Sequence, residues 1–343
     1  MSTLKTTNLQ NASAASPAIV LAADGSATAN LSSVNGGPIA GSRNRIINGD
    51  MRIDQRNAGA SVTGNDAVFP VDRFKLACSQ SSKLTAQQNQ GSATIPVGFS
   101  KYLGLTSSSA YTVGSGEIFA LHHPIEAFNT ADLGWGAASA TTITLSFRVY
   151  SSLTGTFGGS LANGAATYSY PFSYSIPAAN TWTTISITIP GPTSGTWLGS
   201  TNGIGIRVYW GLGAGSTVSG TAGSWSSNFY QSATGATSVV GTNGATFRIT
   251  GVQLEPGSVA TPFERRSYGQ ELALAQRYYQ ASGFMVNNAG SVYTNYFFKQ
   301  PMRAVPTVTS SSSSPSFITV DGFYLGPVGS AIGGVAITAS AEL

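Results

Sequence analysis

The chain has 343 residues, 41 of them glycine, with 9% charged against 41% hydrophobic and a formal net charge of +4. So thin a charge leaves no basic field for nucleic acid, which needs Lys and Arg clustered with aromatics, and so large an apolar share excludes wholesale disorder. A single cysteine, Cys78, excludes an intrachain disulfide and a thiolate metal site, and no apolar run is long enough to cross a membrane as a helix.

Residues 1–42 are polar, small and nearly free of charge, without the apolar core of a signal peptide. Ile19–Leu21 and Ala27–Leu31 flank Asp24-Gly25, a hairpin signal. A hairpin this small is marginal alone. The stretch therefore reads as an attachment arm, held by copies of itself or by another protein; a disordered leader is the alternative. Gly36-Gly37-Pro38 marks a hinge before the next unit.

Residues 43–266 read as one β domain. Strands are expected at Phe69–Leu76, Gly116–Leu121, Thr141–Tyr150, Trp182–Pro190, Ile204–Trp210 and Thr246–Leu254. Ile143, Leu145, Phe147 and Val149 alternate with Thr142, Thr144, Ser146 and Arg148, and Ile185, Ile187 and Ile189 alternate with Thr184, Ser186 and Thr188. One-sided strands of this kind belong to antiparallel sheets with a single buried face. Two such sheets packed together make a sandwich, and strand number and spacing favour a jelly roll. Ser151–Thr167 and Gly211–Gly244 are expected as long Gly/Ser-rich loops, where recognition usually sits on a rigid scaffold.

Residues 267–343 read as a helix followed by a small α+β tip. The stretch Gly251–Tyr279, GVQLEPGSVATPFERRSYGQELALAQRYY, ends a strand, breaks at Pro256-Gly257 and restarts as a helix. Ser267 and Gln270 have capping-box spacing, and Gly283 offers a stop, so a helix over Ser267–Ser282 is expected. Tyr268, Leu272, Ala275 and Tyr279 form its apolar face, destined for a symmetry mate or the sandwich edge. Short strands are expected at Phe317–Val320, Phe323–Leu325 and Val335–Ala339, with a serine-run loop at Ser310–Ser314. So small a unit buries little surface alone, which makes a homotrimer the expected remedy.

This stretch resembles a segment of bacteriophage tail-fibre and related virion appendage proteins, which also carry an NRIINGDM-like entry and a PMRAVPTV-like exit. Both are present, at Asn44–Met51 and Pro301–Val308. The resemblance implies a virion location, a jelly roll similar to carbohydrate-binding modules, attachment to other virion proteins through residues 1–42, and binding of a host-surface polysaccharide. A connector in the baseplate, neck or capsid that touches no receptor is the alternative, and a glycan depolymerase a third.

Candidate chemistry is sparse. His122 and His123, the only histidines, lack a G-x-S-x-G nucleophile elbow and a third ligand at metal spacing, so they read as the end of a strand. Asp66 with Asp72, or Glu117 with Glu126, are the carboxylate pairs a glycan hydrolase would need. Asp50 and Asp72 stand beside Arg52 and Arg73, which favours ion pairing. No D-x-D-x-D-G calcium loop is present, which leaves a structural calcium ion without a motif, and no cofactor is expected. GLGAGS at Gly211–Ser216 lacks the lysine of a phosphate loop. The tryptophans offer flat faces on which sugars stack. Trp182 and Trp210 read as core, Trp135 is open, and Trp197, Trp225 and Tyr230 are the glycan-binding candidates. A non-enzymatic role follows from this inventory.

Overall fold

The computed structural model describes residues 43–286, 294–311, 313–326 and 333–343, together with residue 23 and the short strands Asn8–Leu9, Ile19–Leu21 and Ala27–Ala29. Those three strands pair antiparallel, with Ile19–Leu21 against Ala27–Ala29 as the hairpin signal requires. Asp24-Gly25, Leu31 and the Gly36-Gly37-Pro38 hinge lie outside the described residues.

Alternation decides the main unit. Ile143, Leu145, Phe147 and Val149 are buried while Ser146, Arg148 and Tyr150 are not, because successive side chains of a strand face opposite ways. The strands are β1 (Val62–Thr63), β2 (Lys75–Cys78), β3 (Leu84–Gln88), β4 (Leu103–Ser107), β5 (Ile118–Glu126), β6 (Ile143–Ser151), β7 (Gly155–Asn163), β8 (Ser169–Ile176), β9 (Thr183–Ile189), β10 (Ile204–Ala214) and β11 (Thr246–Pro256). They form a five-stranded sheet in the order β8-β7-β10-β5-β2 and a six-stranded sheet in the order β9-β6-β11-β4-β3-β1. Every pairing in both sheets is antiparallel. Trp210, Phe74, Phe119, Phe147, Phe157 and Phe247 fill the space between them. The protein is mainly β, an antiparallel jelly-roll sandwich.

Several expectations are corrected. Ser151–Thr167 is not a loop, because β7 runs through it beside β10. Its glycines hid it: a β-carbon on Gly159 would come within 2.3 Å of the Tyr209 carbonyl and 2.4 Å of the Phe172 ring, so glycine is the residue that lets the neighbours close in. The strand β8 escaped notice because it contains Pro171, which an edge strand tolerates. Phe69–Leu76 is mostly a turn, with Arg73 at φ 70° and the strand starting at Lys75. Gly211–Ala214 continue β10.

After the sandwich come α1 (Tyr268–Gln276) and the strands β12 (Tyr279–Val286), β13 (Thr294–Phe297), β14 (Thr307–Ser310), β15 (Pro315–Ser316), β16 (Gly322–Leu325) and β17 (Gly333–Ser340). They pair as β12-β17-β14 and β13-β16-β15 around Phe298, Met302, Phe323, Leu325 and Ile337. The strand expected at Phe317–Val320 does not form, since Phe317 takes φ 49° and points outward. The capping box of Ser267 and Gln270 is present in both directions. The helix stops at Gln276 rather than Ser282, because the chain from Tyr279 pairs with β17. Gly283 is therefore in a strand, and Tyr279 leaves the helical face to stack under Arg56, whose guanidinium carbon is 3.7 Å from its ring. Leu272, Ala275 and Tyr278 pack on Ile47 and Ile53 of the entry segment, while Tyr268 is exposed.

The three blocks behind the sequence resemblance meet in one polar knot. The Asn44 side chain donates to the Val252 carbonyl at 3.1 Å and accepts from the amides of Ile46 and Leu254. Asn48 donates its amide to Glu271 at 2.5 Å and its side-chain N–H groups to the carbonyls of Ile53 and Asp72. Arg266 pairs with Glu271 and Glu264 and donates to the carbonyls of Asn44 and Ile46. Glu126 takes Arg277 at 3.0 Å and the Tyr278 hydroxyl at 2.8 Å. Arg73, fully buried, pairs with Glu342 and lies 3.6 Å from the centre of the Tyr278 ring. Arg303 donates to carbonyls at Asn202, Ala341 and Glu342, and so ties the exit block to both sandwich and C-terminus. Buried charges persist only when paired and hydrogen-bonded, which accounts for the charge density of this stretch in a chain otherwise poor in it.

Candidate ligand groove

The tryptophans named from sequence come together. Trp197 and Trp225 lie 5.5 Å apart, and Trp135 joins them edge to face at 4.7 and 5.6 Å. Each indole N–H is already given to a carbonyl: Trp135 to Thr141 at 2.8 Å, Trp197 to Ser194 at 3.1 Å and Trp225 to Pro190 at 2.7 Å. All three rings are half-buried against the core, with Tyr168 stacked on Trp225. The Tyr230 ring lies so close over Gly220 that a β-carbon there would come within 2.3 Å of it. The hollow beside Trp135 and Trp197 holds about 60 Å³, far below the roughly 300 Å³ at which small-molecule sites begin.

Trp182 is not core. It precedes β9 on the outer face of the six-stranded sheet, half-buried, between Tyr102 at 5.8 Å and Tyr150 at 5.5 Å. Its indole donates to the Thr94 carbonyl at 2.8 Å and so pins the 89–101 loop across that face. Register explains the row: Tyr150 stands opposite Arg248, and Arg248 opposite Gly104, across β6, β11 and β4. The Arg248 guanidinium lies 4.6 Å from the Tyr150 ring and donates to the Gln90 carbonyl.

Beside this row lies a groove of about 350 Å³ between the 89–101 loop and the segment after β11. Its floor is the outward set of β6 and β9, with Ser146 opposite Ser186 and Arg148 opposite Thr184. Its walls are Phe99, Val97, Phe263 and Arg265. At the bulge in β11, Gly251 takes φ 62° and a β-carbon there would come within 2.7 Å of the Phe99 ring. Only glycine meets both demands, so this residue seats Phe99 against the sheet. Arg148 and Arg265 lie over the same Phe99 ring, at 5.2 and 5.0 Å. Val97 is 94% exposed. Sequence reasoning placed Arg148 and Ser146 on the solvent face but had no signal for the loop that folds over it. A larger depression of about 460 Å³ follows α1, but its Arg266 and Arg277 are consumed by Glu264, Glu271 and Glu126.

The remaining candidates fall apart as a hydrolytic set. Glu117 and Glu126 flank opposite ends of the nine-residue β5, so a strand rise of roughly 3.3 Å per residue holds them apart. Glu126 and Asp72 are buried in the knot, and burial outweighs the neighbouring Arg56 to hold the Asp72 carboxyl above its ordinary range. His122 and His123 lie inside β5 rather than at a strand end. His123 Nδ1 meets the Arg73 carbonyl at 2.9 Å and Nε2 accepts from the Ile47 amide at 3.3 Å, so both nitrogens are committed in the neutral form. His122 stacks on Tyr209 at 4.3 Å. Burial pushes both imidazoles well below their usual range, with Lys75 and Arg207 adding to it at His122 and Arg73 at His123. No group of three metal-ligating side chains occurs among the described residues.

No protein-family model matches the chain, and no curated protein matches it in sequence. Among solved structures it is similar to the enzymatically active domain of bacteriophage CBA120 tailspike protein 4, with 12% identity, a TM-score of 0.30, and coverage of 60% of this chain and 21% of that one. The chain thus spans about a fifth of the length of that protein. It is also similar to TmCBM61 in complex with β-1,4-galactotriose, at 9% identity, TM-score 0.31 and coverage of 63% and 99%. A third likeness is to the family 11 carbohydrate-binding module from Clostridium thermocellum in complex with a mixed-linked tetrasaccharide, at 10%, 0.28, and 59% and 98%. Carbohydrate-binding modules and a phage tailspike domain are thus among the solved structures to which the chain is similar.

Proposed function

We propose that the protein is a non-enzymatic phage virion appendage of the tail-fibre kind that binds a host-surface glycan in the outer-sheet groove. Residues 1–42 attach it to other virion proteins, and the assembled form is a homotrimer. One observation carries the binding reading. The groove is large enough for a ligand, and beside the Phe99 ring it is lined by two guanidinium groups without a carboxylate and by serine hydroxyls without a hydrogen-bond partner among the described residues. The sequence blocks at Asn44–Met51, Gly251–Tyr279 and Pro301–Val308 support the virion location. Trp197, Trp225 and Tyr230 have a lesser part in this reading, since their polar atoms and faces are largely engaged within the chain.

The test is an array of host-surface polysaccharides, followed by titration calorimetry of the responders and a reducing-end assay on the same samples. Saturable binding without new reducing ends is the expected result. Silence across every glycan sinks the binding reading and leaves the virion connector in its place, and release of reducing ends sinks the non-enzymatic one. Sedimentation of the intact chain decides the trimer.

A further inference from the structure

We infer that the ligand of this groove is an acidic glycan whose oxyanion, a carboxylate or a phosphate, is held by Arg148 and Arg265. The inference rests on the binding reading above and adds to it the charge of the ligand. In this chain, arginines near a carboxylate are put to use: Arg45, Arg52, Arg56, Arg73, Arg266 and Arg277 all sit in ion pairs. Arg148 and Arg265 are different. Neither side chain makes an ion pair or a hydrogen bond among the described residues, and no Asp or Glu lines the groove they share. Both lie about 5 Å from the centre of the Phe99 ring, at 5.2 and 5.0 Å, and line the same groove, and the ring neutralises neither.

Two guanidinium groups lining one groove that no Asp or Glu lines make a local positive field. A guanidinium presents a planar fork of donors that matches carboxylate and phosphate geometry. Below them, Ser146 and Ser186 face each other across β6 and β9, and neither hydroxyl makes a hydrogen bond among the described residues. They suit sugar hydroxyls, which accept and donate as serine does. Ring, hydroxyls and paired donors in one groove therefore describe a sugar that carries an oxyanion, rather than a neutral glucan or a free anion.

The test uses the full chain and three matched probe sets. These are uronic-acid oligosaccharides with their carboxyl-reduced counterparts, phosphorylated glycans with their dephosphorylated forms, and inorganic phosphate alone. Binding is measured at low and high salt for the wild type, Arg148→Gln, Arg265→Gln and the double variant. The expected result is retention of at least one acidic set, with the neutral counterpart weaker. Each single substitution should cost roughly tenfold or more in affinity, the usual scale for one charge-assisted hydrogen bond. The salt dependence should flatten in the double variant. Which acidic set binds identifies carboxylate or phosphate as the source. Arg265 is exposed, so its substitution reports on binding even where Arg148→Gln lowers the melting temperature. Neutral glycans that bind as well as their acidic partners, unaffected by either substitution, overturn the inference and leave the binding reading standing. Phosphate that binds as tightly as any phosphoglycan overturns it too, because the sugar then contributes nothing. Silence from every glycan overturns both.

Discussion

The knot and the groove are both built from arginines and aromatic rings, yet they differ in where the charge goes. In the knot Arg73, Arg266 and Arg277 meet carboxylates and carbonyls within the chain, and a ring covers Arg73. In the groove Arg148 and Arg265 meet aromatic rings, Phe99 for both and Phe263 for Arg265, and no carboxylate among the described residues. The same side chain is therefore a structural bolt in one place and, in the other, a donor with no acceptor among the described residues. Charge density along the sequence marks the bolts, whereas the donors show only once the sheet has formed.

Arg73→Ala breaks the comparison most severely. It takes from Glu342 the more deeply buried of its two arginine partners, leaving Arg56 at 2.9 Å, and removes the stacking on Tyr278. Loss of one member of a buried pair typically costs about 3–5 kcal/mol, so the midpoint of urea unfolding should fall sharply or the chain should fail to fold. A midpoint within error of the wild type would show that the knot does not hold sandwich and tip together.

Acidification attacks the same region through His122 and His123. Both have folded pKa values below the unfolded value near 6.5, because burial disfavours the charged ring. The unfolded state therefore binds more protons as pH falls, and stability that is fully present above about 6.5 is lost below it. The loss by pH 5 should reach up to roughly 2 kcal/mol per histidine. Asp72 works the other way, since its folded pKa is raised and its protonation at lower pH removes a cost. The melting temperature should thus drop between pH 7 and pH 5, and His123→Gln should shrink the drop. A flat profile would mean the imidazoles are hydrated.

Gly251→Ala acts where knot and groove adjoin, on the bulge of β11 whose next residue accepts the Asn44 side chain. A non-glycine residue at positive φ costs on the order of 1–3 kcal/mol, and here it also displaces Phe99. Stability should fall moderately and glycan affinity should fall with it. Lost affinity at unchanged stability would separate the ring from the sheet. Unchanged affinity would remove Phe99 from the site.

Much of this was legible beforehand. The sandwich could be read from the alternation of β6 and β9, and the helix start from Ser267 and Gln270, because both signals are local. The inward side of α1 was half missed, since Glu271 is buried there by virtue of Asn48 and Arg266, partners more than two hundred residues and five residues away. The strands β7 and β8 were missed because Gly159 and Pro171 satisfy constraints set by neighbours rather than by their own strand. The groove was illegible for the same reason: its walls, Phe99 and Arg265, lie far from Arg148 in sequence and have no periodicity in common with it.

The smallest expected effect is the sharpest discriminator. Arg148→Gln removes a charge that makes no ion pair among the described residues, so unfolding should shift by no more than about 1 kcal/mol. The cation–ring contact with Phe99 sets that limit, since exposed contacts of this kind contribute roughly 0.5–1 kcal/mol. Arginine at position 73 and arginine at position 148 would then differ several-fold in their effect on folding and in the opposite sense on binding. Equal destabilisation by the two substitutions would make Arg148 another bolt. The groove would then be a packing defect between a loop and a sheet, with no ligand implied.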